Sequence, residues 1–283
     1  MDRQWASVVT GAISVQIELP SEDDEVVPGV RWGRIEAFPT PAYWAYQVMA
    51  RRVEHRTINY RLGRTLREEV VACLLGGHGI PAQVGLAAFA RLRDEGVFEG
   101  PAPEEADIAR LLSQPLQIGD RLVHYRFVRQ KAAYVSTALR RLDADALELQ
   151  TGRGLRDALL AFPGIGPKTA SWITRNWLDS DEVAILDIHV LRAGILAGFF
   201  DSSLTVERHY VRLEEQFLRF SHGLGVRPAE LDAVIWLEMA SSPRSVASAL
   251  EYMPESPMKK RHALASRRAH HRRSDTHQLP LLS

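Results

Sequence analysis

Apolar residues along this chain follow two different periods. Between about Ala6 and Leu19, in SVVTGAISVQIEL, β-branched residues and partial alternation predict one or two strands. The acidic turn SEDDE and the pair Pro28-Gly29 then read as a connector, and Phe38-Pro39-Thr40-Pro41 places proline near the first turn of a helix. From Ala42 onward the period is helical. Tyr43, Tyr46, Met49 and Val53 recur at helical spacing in AYWAYQVMARRVEH, a core stripe, with an exposed aromatic platform as the rival reading. TLREEVVACLL forms a short amphipathic helix stopped by the glycine-rich turn from Gly76 to Pro81, after which QVGLAAFARLRDEG resumes the period. Three more helices follow in PAPEEADIARLLSQ, YRFVRQKAAYVSTALRRL and LRDALLAF, separated by proline, glycine or polar turns, and no repeat of fixed period is present.

This pattern predicts a mainly α fold with three parts: an N-terminal extension with short strands over residues 1–40, a helical core over 41–255, and a tail over 256–283. A chain of 283 residues with 46% hydrophobic content can bury a core in one large domain or two small ones. No run reaches the roughly 18 apolar residues of a membrane span, and the first fourteen residues lack a basic start and an apolar centre. A cytoplasmic, nucleoid-associated monomer with no membrane partner is expected. The single cysteine, Cys73, lies in an apolar helical run and reads as core, which excludes an internal disulfide and any four-cysteine metal site. Charge is balanced at 35 basic and 35 acidic residues, yet seven of the bases fall between Lys259 and Arg273 with no acid among them. The rest of the chain therefore carries seven more acids than bases, and the tail is either a solvated terminus or a phosphate-contacting arm.

The stretch richest in chemistry runs from Leu155 to Arg192, with a helix-hairpin-helix over 155–178. In Phe162-Pro163-Gly164-Ile165-Gly166-Pro167 the two glycines permit positive φ and close approach, Ile165 can plug between the flanking helices, and Pro167 suits a first helical position. Amides of such a turn at a helix N-terminus make a nest for an anion, most plausibly a DNA phosphate. Read alone, PGIG is also simply a tight interhelical turn. Lys168 falls in the opening turn of the next helix, KTASWITRNWL, where the positive end of the dipole and any partial burial favour the neutral, nucleophilic amine. Nineteen residues on, the apolar run VAIL delivers Asp187 to the start of IHVLRAGILAGFF as an N-cap carboxylate. Asp187 is then a cap, an anion available to an amine, or both. His189 reads as a packed histidine with no chemistry.

LAFPGIGPKTA from Leu160 to Ala170, followed by LDIH from Leu186 to His189, resembles the helix-hairpin-helix and Gly/Pro-Asp signature of the DNA base-excision glycosylase superfamily. The resemblance covers roughly Thr65 to Met239, and ASWITRN with AILDIHVLR is most similar to the compact 8-oxoguanine DNA glycosylase/lyases of archaea and some bacteria. It implies a two-lobed helical enzyme that flips a modified base out of duplex DNA and excises it. Lys168 would attack the sugar, Asp187 would steady the developing positive charge, and a Schiff base would permit β-elimination. No redox cofactor or catalytic metal is implied, although an alkali cation sits against hairpin carbonyls in such folds.

Gly164, Ile165 and Gly166 would hold the DNA backbone, with Arg126, Arg129 and Lys131 of YRFVRQKAAYV facing phosphates or merely solvent. His78, in the glycine-rich turn, falls where similar enzymes place a polar gap-filling residue, and its rival reading is an exposed loop histidine. Trp172 and Trp236 are candidate walls of the base pocket, or core. Two alternatives stay open. One is the same chemistry on a bulky hypermodified base of phage DNA in antiviral defence, and the other is a non-catalytic helix-hairpin-helix module that only binds DNA.

Overall fold

The structure is a computed structural model that describes residues 2–54, 61–77, 79–144, 147 and 149–251. In chain order the first elements are strands β1 (Gln4–Thr10), β2 (Ile13–Leu19), β3 (Glu25–Val27) and β4 (Val30–Arg31), followed by helices α1 (Pro41–Val53), α2 (Leu66–Leu75), α3 (Ala82–Asp94) and α4 (Glu105–Ser113). Strands β5 (Leu116–Ile118) and β6 (Arg121–Val123) precede α5 (Val128–Ala144), α6 (Gly152–Leu159), α7 (Pro167–Leu178) and α8 (Ile188–Leu196). The last are α9 (Val206–Leu224), α10 (Pro228–Ser241) and α11 (Pro243–Glu251). The mainly helical fold class read from the sequence is the one observed. The basic tail and His78 lie outside the described residues.

Two compact units divide the described chain, one drawn from the described residues of 2–54 and 181–251 and the other from those of 61–180. In the first, β1 and β2 pair as an antiparallel hairpin turned at Gly11 and Ala12. Val8, Ile17 and Leu19 point inward while Trp5 and Val9 point to solvent, which is the two-residue alternation of a half-buried sheet. The inward face belongs to the same apolar cluster as Trp44 of α1 and Phe217 and Phe220 of α9, all three fully buried. The strand-bearing start of the chain thus shares a core with helices some two hundred residues later. Helix α1 begins where its prolines and threonine predict: the Thr40 hydroxyl accepts the Tyr43 amide at 3.2 Å and Pro41 takes the first helical position.

Helices α2 to α7 enclose the second cluster, with Leu74, Leu92, Ile108, Leu139, Leu155 and Ile173 at its centre. Helix α2 is capped by Thr65, whose hydroxyl accepts the Glu68 amide. Two buried carboxylates hold the loop before it. Glu69 accepts the Leu62 and Gly63 amides, each at 2.7 Å, and Glu68 accepts the Arg64 amide. Glu69 also accepts from the Asn176 side chain at 3.2 Å, tying α7 to α2. Cys73 packs against this cluster, and burial, with the Glu69 carboxylate second, pushes its thiol well above the ordinary range. The antiparallel pair β5 and β6 has no counterpart in the sequence reading, because strands of three residues are too short to display alternation. Among the described residues no helix is long and apolar enough to cross a membrane.

Candidate active site

Helix α6 gives way to a turn closed by the Phe162 amide on the Leu159 carbonyl and the Ile165 amide on the Phe162 carbonyl, after which Gly166 caps α7. Gly164 sits at φ +84°, and a Cβ there would fall 2.3 Å from Tyr134 Cδ2. That position needs glycine for its backbone and again for its space. Gly166 departs from expectation, since its φ is −96° and a Cβ would meet nothing within 4 Å. It serves as the helix cap. Ile165 corrects the reading that placed it among the phosphate contacts: its side chain is buried in the apolar cluster and its amide is already committed to Phe162. Helix α5 braces the turn through Tyr134 and through Arg141, which donates to the Ala161 carbonyl and lies 5.5 Å from the Phe162 ring centroid.

Pro167 occupies the first position of α7, and the N-cap residue Gly166 has no side chain with which to cap it. Lys168 follows at once and is exposed, so the partial burial considered from the sequence is absent. A helix N-terminus without a capping side chain, carrying a cation, attracts anions through both its amides and its dipole. Trp172, one turn further, is half-buried, and its indole N–H is shielded from solvent with no acceptor.

Arg126 and Arg129 are exposed at the start of α5. A Cβ on Gly79 would lie 3.7 Å from the Phe127 ring and 3.8 Å from Arg126 Nη1, so the glycine-rich turn closes onto this corner. Phe127 itself is 42% exposed in a left-handed backbone conformation at φ +65°, with the Arg126 guanidinium 4.9 Å from its ring centroid. Nothing in YRFVRQ marks it. Lys131 is a correction, because its ammonium donates to the Leu74 carbonyl and, at 3.0 Å, to that of Gly76. It closes the C-terminus of α2 instead of facing phosphate, and burial lowers its pKa.

In the other unit the buried residues 183–186 lead into Asp187, the N-cap of α8. One carboxylate oxygen accepts the His189 amide at 2.8 Å and the Val190 amide at 3.1 Å, so the capping role read from the sequence holds. The His189 ring stands edge-on to Trp236 at 6.4 Å between centroids, and Trp236 is 36% exposed on α10, at the surface and not in the core. Arg192, one turn along α8, is half-buried. Burial lowers its guanidinium pKa and the Asp187 carboxylate partly offsets that.

Sequence reasoning missed what holds residues 183–186. The Ala184 amide donates to Glu214 Oε1 at 3.0 Å, the Ile185 amide to Asp232 Oδ2 at 3.0 Å, and the Leu186 amide to the Tyr210 hydroxyl at 3.2 Å. The Tyr210 hydroxyl donates in turn to the Ala184 carbonyl at 2.7 Å. An acid on an otherwise apolar helical face, such as Glu214 between Leu213 and Phe217, is the signal that could have found them.

Gly164, Gly166, Lys168, Trp172, Arg126 and Arg129 thus belong to one unit, and Asp187 and Trp236 to the other. No group of three His, Cys, Asp or Glu side chains among the described residues could hold a metal ion.

Residues 49–226 match the family model described as 8-oxoguanine DNA glycosylase. The fold is similar to the crystal structure of the 8-oxoguanine DNA glycosylase of Methanocaldococcus jannaschii, with a TM-score of 0.52 and 20% identity over 69% of this chain and 92% of that one. The 8-oxoguanine DNA glycosylase of Thermotoga maritima matches with a TM-score of 0.49 and 21% identity over 70% of this chain and 96% of that one. The Methanocaldococcus jannaschii glycosylase/lyase in complex with a 15mer DNA containing 8-oxoguanine matches at 0.47 and 22%, over 72% and 89% respectively.

Proposed function

Because the chain belongs to the 8-oxoguanine DNA glycosylase family, we propose that it is a bifunctional glycosylase and lyase acting on duplex DNA that carries a modified base, 8-oxoguanine first among the candidates. The observation that carries the proposal is the exposed Lys168 in the first turn of α7, directly after a hairpin that ends on a glycine N-cap. A DNA phosphate would take the place of the cap, with Gly164 and Gly166 letting the backbone approach closely and Arg126 and Arg129 supplying charge.

With the base flipped out, Lys168 Nζ attacks C1′ through its lone pair and the glycosidic bond breaks, its electron pair leaving with the base. The positive charge that builds on the sugar is steadied by the Asp187 carboxylate, which its two amide hydrogen bonds hold in one orientation. The attacking nitrogen passes a proton to the sugar O4′ as the C1′–O4′ bond breaks and the ring opens, giving a protonated Schiff base. Removal of a C2′ proton then expels the 3′ phosphate oxygen and nicks the strand. Each step balances without an added oxidant, reductant or metal ion. The unpartnered indole N–H of Trp172 supports a place for it beside the flipped base, since a buried donor without an acceptor is costly until a ligand oxygen meets it. Trp236 offers an exposed face for stacking.

Borohydride trapping on duplexes carrying a panel of bases, with an abasic duplex as reference, tests this reading. A covalent adduct that disappears in Lys168→Ala supports it, and the base that yields the adduct names the substrate. Trapping on a hypermodified base of phage DNA in preference to 8-oxoguanine would move the enzyme from repair to antiviral defence. Retained DNA binding with no adduct on any base or on the abasic site would leave a non-catalytic binding module.

A further inference from the structure

Buried amides of an extended segment usually find their partners on a neighbouring strand. Residues 183–186 belong to none of the sheets among the described residues, and three side chains take the place of the missing strand. Successive amides of an extended chain point to opposite sides. Accordingly, Ala184 and Leu186 reach α9, at Glu214 and Tyr210, while Ile185 between them reaches α10, at Asp232. Tyr210 and Glu214 stand four residues apart on one face of α9, the spacing that lets them meet alternate amides. All three side chains are nearly inaccessible, at 6%, 3% and 3% exposure for Tyr210, Glu214 and Asp232. Leucine or phenylalanine would fill these places with apolar bulk but leave the amides unmet, so the polar atoms serve the segment.

Asp187 is the next residue of that segment. Its main-chain position is inherited from a backbone gripped on both sides, and its carboxylate is then oriented by the two α8 amides. We infer that Tyr210, Glu214 and Asp232 are positioning residues for base excision: they touch no substrate atom, and they fix the backbone from which the Asp187 carboxylate is presented. The inference rests on the role proposed for Asp187 above.

The test uses the full chain and a duplex carrying 8-oxoguanine. Single-turnover excision is normalised to the fraction of molecules that trap on an abasic duplex, with DNA affinity and Tm measured alongside. Tyr210→Phe removes a single oxygen and with it two hydrogen bonds, and Asp232→Ala removes one acceptor. Each is expected to lower the normalised excision rate by about 10- to 100-fold, the effect of displacing a reacting group by about 1 Å, at unchanged DNA affinity. Asp232→Asn keeps an acceptor oxygen for the Ile185 amide and is expected to restore most of the rate. If Asp232→Ala does not fold, Tyr210→Phe and Asp232→Asn decide the matter between them. Normalised rates equal to wild type in Tyr210→Phe and Asp232→Ala, with only Tm reduced, would reduce these residues to ordinary structural ones and overturn the inference alone. Absence of both excision and trapping in the wild-type protein would overturn the catalytic reading, and the inference with it.

Discussion

The two groups proposed to do the chemistry are built in opposite ways. Lys168 stands on a corner made almost entirely from six consecutive residues, in which a glycine at positive φ, a buried isoleucine plug and a proline at the first helical position shape the turn. Asp187 stands at the end of a segment whose shape comes from α9 and α10, through partners 24, 30 and 47 residues away in sequence. One is built locally and exposed; the other is built at long range on a buried segment. The contrast teaches that an amine which must meet a bulky polymer is best carried on a rigid turn at the surface. A carboxylate whose task is electrostatic benefits from a backbone that cannot shift.

The largest expected effect separates the two roles. Lys168→Ala should remove the borohydride-trapped adduct entirely while DNA binding persists, because the bond-forming atom is gone. Asp187→Asn should lower single-turnover excision by about 10²- to 10³-fold, as loss of one preorganised electrostatic partner does, without abolishing duplex affinity. If both variants lost affinity and rate in equal measure, the division into attacking and stabilising groups would fail.

Smaller effects probe how each region is built. Gly164→Ala meets both the left-handed backbone and the Tyr134 ring, and Gly194→Ala in α8 would set a Cβ 2.1 Å from Phe200 Cδ2. Each should cost about 1–3 kcal/mol, read as a fall of about 3–10 °C in Tm. Gly166→Ala meets nothing within 4 Å and should cost less than about 1 kcal/mol, the usual scale for a cap substitution. A Gly166 variant as unstable as the Gly164 one would contradict the assignment of Gly166 as an unconfined cap. The smallest effect distinguishes two neighbouring bases of α5. Arg129→Gln should reduce the slope of log affinity against log salt by about 1. Lys131→Met should leave that slope unchanged and lower stability by about 1 kcal/mol, since its ammonium serves two α2 carbonyls.

What could be read from the sequence follows the same division. Caps and turns are written in adjacent residues, so Thr40, Thr65 and Asp187 were recognisable as helix starts and the PGIG turn as a hairpin. The opposite conformations of Gly164 and Gly166 were not, because the ring that confines Gly164 comes from Tyr134 on another helix. Lys131 has the sequence neighbours of any surface base on a polar helix, and its carbonyl partners at the end of α2 lie more than fifty residues away. The grip on residues 183–186 was hidden most deeply. It depends on which helical faces meet, and single polar residues on apolar stripes carry little weight until the packing is known.

The discontinuity of the first unit has a consequence for how the chain is made. The second unit is contiguous and can close its core once Ser180 has left the ribosome, whereas α1, finished by Val53, waits for α9 and α10 to pack against it. At translation speeds of about 5–20 residues per second that wait lasts roughly 10–40 s. Synthesis therefore completes the amine-bearing corner while the carboxylate's support does not yet exist. A nascent chain released only as far as Ser180 would display a folded middle and a first helix still lacking α9 and α10.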